Sequence, residues 1–277
     1  MDYINAHDRT LICVGTDNSA IRIYDEATHR ILSSWIALHD EHNHLHSSHH
    51  RSATSSPATT PIIPSKSPTK FVVDWNQQLC RIYASATNID YIALWDVERE
   101  RCLCTMDAGA SNGIYCLTSD VDGFCAAGMG DGTVRCFDAR LQDNLVMTIP
   151  PSTPLNRHSP IITLKADTND RLLSISNMGQ LRRWDIETGI STELPVPQPS
   201  QHVLAADVHS TGNVLALATA NALQFKTCFG DLLFDIKNSK FAQVSSLSFH
   251  QYRQLLAVSF NDGSLSMFTG KTNSSIV

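Results

Sequence analysis

A chain of 277 residues that is 42% hydrophobic can bury a substantial core, which places it with globular rather than disordered or fibrous proteins. Its net charge of -6 supplies no broad positive field, so nucleic acid and acidic membranes are not expected as main partners, although a local basic patch stays open. No apolar run approaches the roughly 20 residues that cross a bilayer as a helix, and Met1-Asp2-Tyr3-Ile4-Asn5 lacks a secretion-signal layout, so an intracellular protein without membrane insertion is expected.

In chain order, the first ordered signal is an apolar run from Leu11 to Val14, a turn at Asp17-Asn18-Ser19, and a strand Ala20-Ile21-Arg22-Ile23-Tyr24-Asp25. Residues 38–70 then change character. His, Ser, Thr and Pro dominate without strand or helix periodicity, and the reading is a disordered insertion that cannot recover its ordering entropy through burial. Beyond it the strand Tyr91-Ile92-Ala93-Leu94-Trp95-Asp96 repeats the aromatic–Asp ending, and Cys102-Leu103-Cys104 reads as a strand with both thiols on one face. The stretch AAGMGDGTVRCFD follows, with a turn at Gly130-Asp131-Gly132 and a strand ending at Phe137-Asp138. Next come Leu172 to Ile175, the turn Asn177-Met178-Gly179, and the strand ending at Trp184-Asp185. Fainter copies lie at Ala222 to Lys226 and, after Leu255 to Ser259 and the turn Asn261-Asp262-Gly263, at Ser264 to Phe268. Upstream strands are predicted at 114–118, 161–165, 203–208 and 244–249.

Trp95, Phe137, Trp184, Lys226 and Phe268 are 42, 47, 42 and 42 residues apart. Tyr24 precedes Trp95 by 71, which falls in the same range once an insertion of about 30 residues is removed. A period of about 40–45 with short strands is that of a β-propeller blade. No stretch carries three-four apolar spacing over ten or more residues, so the class is all-β, with four-stranded antiparallel blades and one partial propeller over residues 1–277.

LWDVERERCLCTM and RWDIETGISTEL look like WD repeats. Taken in order, VVDWNQQLCRIYAS with IALWDVERE, AAGMGDGTVRCFDAR, LAADVHSTGNVLALATANALQF and SSLSFHQYRQLLAVSFNDGSLSMF resemble the C-terminal propeller of the raptor family, the scaffold subunit of TOR complex 1. The opening MDYINAHDRTLICVGTDNSAIRIYD is similar to that family's second blade. The resemblance implies seven blades, whereas six aromatic strands are visible and the chain is expected to begin inside a blade, as a fragment or truncated gene model. It also implies a non-catalytic scaffold with TOR kinase and other TOR complex 1 components as partners. The implied location is the cytoplasm, with recruitment to the lysosome or vacuole surface through the complex. A generic WD adaptor of another assembly is the alternative, and a propeller hydrolase with a central polar pocket a third reading. The Gly-His dipeptide of many WD repeats is absent, so their buried His-Ser-Trp-Asp network is not assumed.

Chemical motifs give little else. The glycines at 128, 130 and 132 could suggest a phosphate loop, but a strand follows them instead of a helix, and no Lys-Ser or Lys-Thr is present. They read as hairpin punctuation, as do Asp262 and Gly263. Six of the twelve histidines, at 39, 42, 44, 46, 49 and 50, form a tract that reads as solvated low complexity, with metal binding the competing reading. Ser56, Thr60 and Ser67 precede prolines in the same segment and are candidate phosphosites. Cys13, Cys80, Cys116, Cys125, Cys136 and Cys228 lie singly in apolar runs and are expected to be reduced core thiols. Asp96, Asp138 and Asp185 are expected to bond local backbone at strand ends, and His209 and His250 to serve turns. No cofactor, metal or catalytic site is predicted.

Overall fold

In the computed structural model the described residues are 2–6, 9–16, 18–38, 70–76, 78–109, 113–120, 122–151, 159–167, 171–185, 191–194, 202–250 and 253–270. They form six antiparallel sheets in chain order. Blade 1 holds β1 (Asp2–Ala6), β2 (Arg9–Gly15), β3 (Ala20–Asp25) and β4 (Arg30–Ile36). Blade 2 holds β5 (Phe71–Asn76), β6 (Arg81–Ala86), β7 (Tyr91–Asp96) and β8 (Arg101–Asp107). Blade 3 follows with β9 (Ile114–Ser119), β10 (Phe124–Met129), β11 (Val134–Asp138) and β12 (Leu145–Ile149). Blade 4 consists of β13 (Ile161–Asp167), β14 (Arg171–Ser176), β15 (Leu181–Asp185) and β16 (Ser191–Leu194). Blade 5 comprises β17 (Val203–Val208), β18 (Val214–Thr219), β19 (Ala222–Thr227) and β20 (Leu232–Lys237), and blade 6 comprises β21 (Val244–Phe249), β22 (Leu255–Phe260) and β23 (Leu265–Thr269). This is a WD-type β-propeller array in which each aromatic–Asp strand is the third of its blade.

A strand not expected from the sequence, β1, pairs with β2 from Asp2↔Cys13 to Ala6↔Arg9 and gives blade 1 four strands. Five blades have four strands, and blade 6 has three among the described residues.

The strands pair through tight hairpins because the turn residues reach the left-handed region. Gly132 has φ +84° and its Cβ position lies 2.9 Å from the Ser159 carbonyl oxygen, so only glycine fits there. Gly128 serves packing instead: a Cβ would meet Cys116 Sγ at 2.5 Å and Ile161 at 2.8 Å, so its absence lets blade 4 close onto blade 3.

Neighbouring blades stack through apolar cores, one between each consecutive pair. Cys13, Ile21 and Ile23 pack on Ile82, Ala93 and Trp95 between blades 1 and 2. Tyr83, Ile92 and Leu94 meet Leu117, Cys125 and Phe137 between blades 2 and 3. Cys136 and Val134 meet Leu164 and Trp184 next, then Ile175 and Leu181 meet Leu215 and Leu217. Phe225 and Leu223 meet Leu247, Leu256 and Phe260 at the last junction. There Phe241, from a single 3-10 turn at Ser239–Gln243, is buried as well; the side chain of Asn238 starts that turn by accepting from Lys240 N at 2.9 Å.

Polar ties cross these junctions. Tyr83 Oη donates to Gly123 O at 2.9 Å, Ser119 Oγ to Asp74 Oδ2 at 2.6 Å, Cys116 Sγ to Ile161 O at 3.2 Å and Thr163 Oγ1 to Ala206 O at 2.9 Å. Between blades 5 and 6, Phe249 N donates to Asp207 Oδ2 at 2.6 Å.

Among the described residues there are five such cores for six blades, because no core joins blade 6 to blade 1. The burial pattern shows the same break. β6, β10 and β18 are buried on both faces after their first residue, and the described residues of β14 likewise, whereas β22 alternates buried with half-buried.

Candidate functional site

The third-strand acids belong to their own hairpins. Asp25 accepts from Ala27 N at 3.0 Å and Thr28 Oγ1 at 2.9 Å. Asp96 accepts from Arg99 N at 3.1 Å and Arg99 Nη1 at 2.8 Å, and the backbone amide of Arg99 leads in holding its carboxyl below the usual range. Asp138 is held down chiefly by the Arg140 side chain, whose Nη2 donates at 2.7 Å, with Arg140 N donating at 2.9 Å. Asp185 ends β15 at the corresponding position. In the turns, Asp131 accepts from Thr133 N at 2.9 Å, and Asp262 accepts from Ser264 N at 2.8 Å. Short acidic side chains suit these places because they satisfy backbone N–H groups two or three residues on.

Most of the aromatic partners sit in the cores between blades. Trp95, Phe137 and Trp184 are buried, Tyr24 is half-buried and Phe268 packs at the edge of the last core. Trp184 Nε1 donates to Ser174 Oγ at 3.0 Å, both side chains being buried, so one Ser–Trp link of the WD network is present although the Gly-His signal is not. The equivalent position in blade 2 is Ala84, diagonal to Trp95 in the same register, and Trp95 Nε1 is buried without a partner. Trp95 instead packs against Trp35, with ring centroids 5.8 Å apart.

None of this is a reactive constellation. Among the described residues no three His, Cys, Asp or Glu side chains gather as a metal site. No disulfide joins any of the eight cysteines. Burial pushes the Cys116 and Cys136 thiols up to about 12, which suppresses the nucleophilic thiolate. Cys80 departs from the expected core placement: it is exposed in the hairpin between β5 and β6, at φ +50°. Cys102 and Cys104 do share a face of β8, half-buried. His209 Nδ1 lies 3.0 Å from Thr211 Oγ1 and its carbonyl accepts from Gly212 N, so it organises a turn. Ser56, Thr60 and Ser67, the histidine tract and Asp17 lie outside the described residues.

What the structure offers is surface, with exposed apolar side chains on blades 1, 5 and 6 among the described residues. On blade 6, Leu265 and Met267 are 64% and 53% exposed and pair with Ser259 and Ala257, on the side of the sheet opposite Leu256, Val258 and Phe260. On blade 1, Ile12 and Val14 alternate with the buried Cys13, and Ile31 and Ile36 are exposed at the outer strand. Contiguous exposed apolar area of this sort marks protein contact surfaces in general.

Comparison with known proteins gives a consistent picture. The family described as "WD domain, G-beta repeat" matches residues 100–138. The chain is 28% identical over 207 residues to "Regulatory-associated protein of TOR 1" of Arabidopsis thaliana, covering 72% of this chain and 15% of that protein. It is 23% identical over 279 residues to "Target of rapamycin complex 1 subunit mip1" of Schizosaccharomyces pombe, covering 95% of this chain and 19% of that protein. Its fold matches the crystal structure of Chaetomium thermophilum Raptor with a TM-score of 0.76 at 20% identity, over 98% of this chain and 23% of that one. The chain thus spans under a fifth of the length of the two relatives, and both are named for TOR or its complex.

Proposed function

We propose that this chain, a raptor-like WD-repeat propeller, acts as a non-catalytic scaffold module of TOR complex 1, contacting TOR kinase or its companion subunits and thereby supporting signalling that couples nutrients to growth. The observation that carries the reading is the ordered run of six blades, similar along 72% and 95% of the chain to two proteins named for TOR. The mechanism such a fold permits is display. Rigid sheets hold turns and outer strands in fixed relative positions, and the contact area comes from several blades at once. Acids committed to hairpins and thiols with suppressed ionisation fit a part that binds and does no chemistry. The proposed site of action is the cytoplasm, with recruitment to the lysosome or vacuole surface through the complex.

Affinity purification of the tagged chain from its own cells, in whatever longer protein carries it, provides the test. Recovery of TOR kinase, lost when the Tyr83 and Phe137 core is disrupted, is the expected result. Recovery of the subunits of another assembly without TOR kinase would overturn the reading in favour of a general WD adaptor.

A further inference from the structure

A cleft of about 440 Å³ opens between blades 4 and 5, a volume within the range of ligand sites. Its walls are largely apolar, from Val203, Leu217, Ala222 and Leu232. One buried cation stands in it. Lys226 on β19 is only 6% exposed, although lysine is almost never buried so far unless it is paired. Among the described residues no carboxylate pairs with it, and burial alone lowers its affinity for a proton. Strand alternation produces this placement: Leu223 and Phe225 face the core with blade 6, and Lys226 lies on the opposite side with Gln224 and Ala222. The other lysine of the cleft, Lys237, has its Nζ 3.9 Å from Asp235 Oδ2, so its charge is already met at the exposed rim.

We propose that this cleft is a peptide-docking site that receives the carboxylate of an aspartate or glutamate on Lys226, with apolar residues beside that acid resting on the cleft walls and on β20. A single uncompensated charge matches a monoanion better than a phosphate, which carries nearly two charges at neutral pH. A peptide matches better than a small acid because the apolar surface continues outside the cavity: Leu232 and Leu233 on the rim strand are each 51% exposed and Phe229, in the turn before it, is 59% exposed. Binding would replace the lost hydration of the ammonium with an ion pair in a partly desolvated place, where such a pair discriminates strongly against an uncharged analogue. The proposal does not depend on which assembly the chain serves.

Titration calorimetry on the full chain with acetyl-Leu-Asp-Leu-amide, acetyl-Leu-Asn-Leu-amide and acetate tests it. The aspartyl peptide is expected to bind saturably and at least about tenfold more tightly than the asparaginyl peptide or acetate, a difference of about 1.4 kcal/mol. Lys226→Met should bring it down to the asparaginyl level, while Lys237→Met changes it less than threefold. Equal affinity for the two peptides, no saturable binding of either, or acetate binding as well as the aspartyl peptide would overturn the proposal. The peptide comparison needs no variant, so it decides even if Lys226→Met perturbs folding.

Discussion

Replacing Ser174 with alanine isolates the one Ser–Trp link the structure preserves. Ser174 and Trp184 are 2% and 5% exposed, and their bond is 3.0 Å long, so the hydroxyl and the indole N–H have no access to bulk water. Removing the hydroxyl forfeits a net bond of about 1 kcal/mol and leaves a buried donor unpaired, for a total cost of about 1–3 kcal/mol. Trp184→Phe removes the other partner, with its own loss of packing against the core it shares with Leu164 and Leu172. If the bond is the source of the effect, the double variant is less destabilised than the sum of the singles by about 1–2 kcal/mol. Urea unfolding followed by fluorescence reads the midpoint, and an unchanged slope shows that the native and unfolded states keep their exposed surface. A Ser174→Ala variant within about 0.5 kcal/mol of the parent, or a cycle without coupling, would refute the reasoning. Trp95 shows why the cost should stay bounded, since the fold already accommodates its buried indole N–H diagonal to Ala84.

Gly132→Ala and Gly263→Ala probe the same turn position with different surroundings. Both glycines sit in the left-handed region, at φ +84° and +80°, but a Cβ at 132 meets the Ser159 carbonyl at 2.9 Å while one at 263 meets nothing within 4 Å. Thermal melts should show a loss of about 1 kcal/mol at 263 and a clearly larger one at 132; equal losses would mean that the close approach of Ser159 is immaterial. Asp207 is a buried acid whose proton affinity is raised by burial, although Phe249 N bonds it. The folded form therefore holds its proton more tightly than the unfolded form, and this group makes stability fall as pH rises from the ordinary carboxylate range through its raised value. Asp207→Asn, which keeps an acceptor for Phe249 N, should flatten that part of the stability–pH curve in denaturant titrations; an unchanged curve would show that the carboxylate is not the titrating group.

The blade period was legible because most third strands have marked ends. A turn residue at positive φ precedes the third strand in blades 1, 3, 4 and 6, at Ser19, Gly132, Gly179 and Gly263, and an acid bonding its own hairpin finishes it in blades 1 to 3, with Asp185 at the same position in blade 4, so Tyr24-Asp25, Trp95-Asp96, Phe137-Asp138 and Trp184-Asp185 recur in sequence as they do in space. The fourth strands were much harder to read. β4, β12 and β20 are outer strands with exposed residues on both faces, which leaves no two-residue alternation to detect, and only the paired cysteines drew attention to β8. β1 was missed because Asp2–Ala6 is short and mixes polar with apolar residues. Cys80 misled because an apolar neighbourhood in sequence, Leu79 and Ile82, says nothing of a left-handed turn between them. Lys226 gave no signal either. In sequence it looks like a surface residue closing an apolar strand, and the cleft that buries it is walled by residues distant in sequence, Gly179, Val203 and Leu232.

The five cores also decide how the molecule comes apart. Among the described residues blades 2 to 5 are each clamped from two sides, while blades 1 and 6 each share a core with one neighbour, so these six sheets behave as a zipper whose end teeth loosen first. Protection of backbone amides then rises inward, from β22 and β2 toward β10 and β14, and a protease meets the outermost sheets before it can reach the middle ones. A partner that covers the Leu265 and Met267 face adds a second clamp to the weakest tooth, so its binding would tighten the whole row while touching only the end of it.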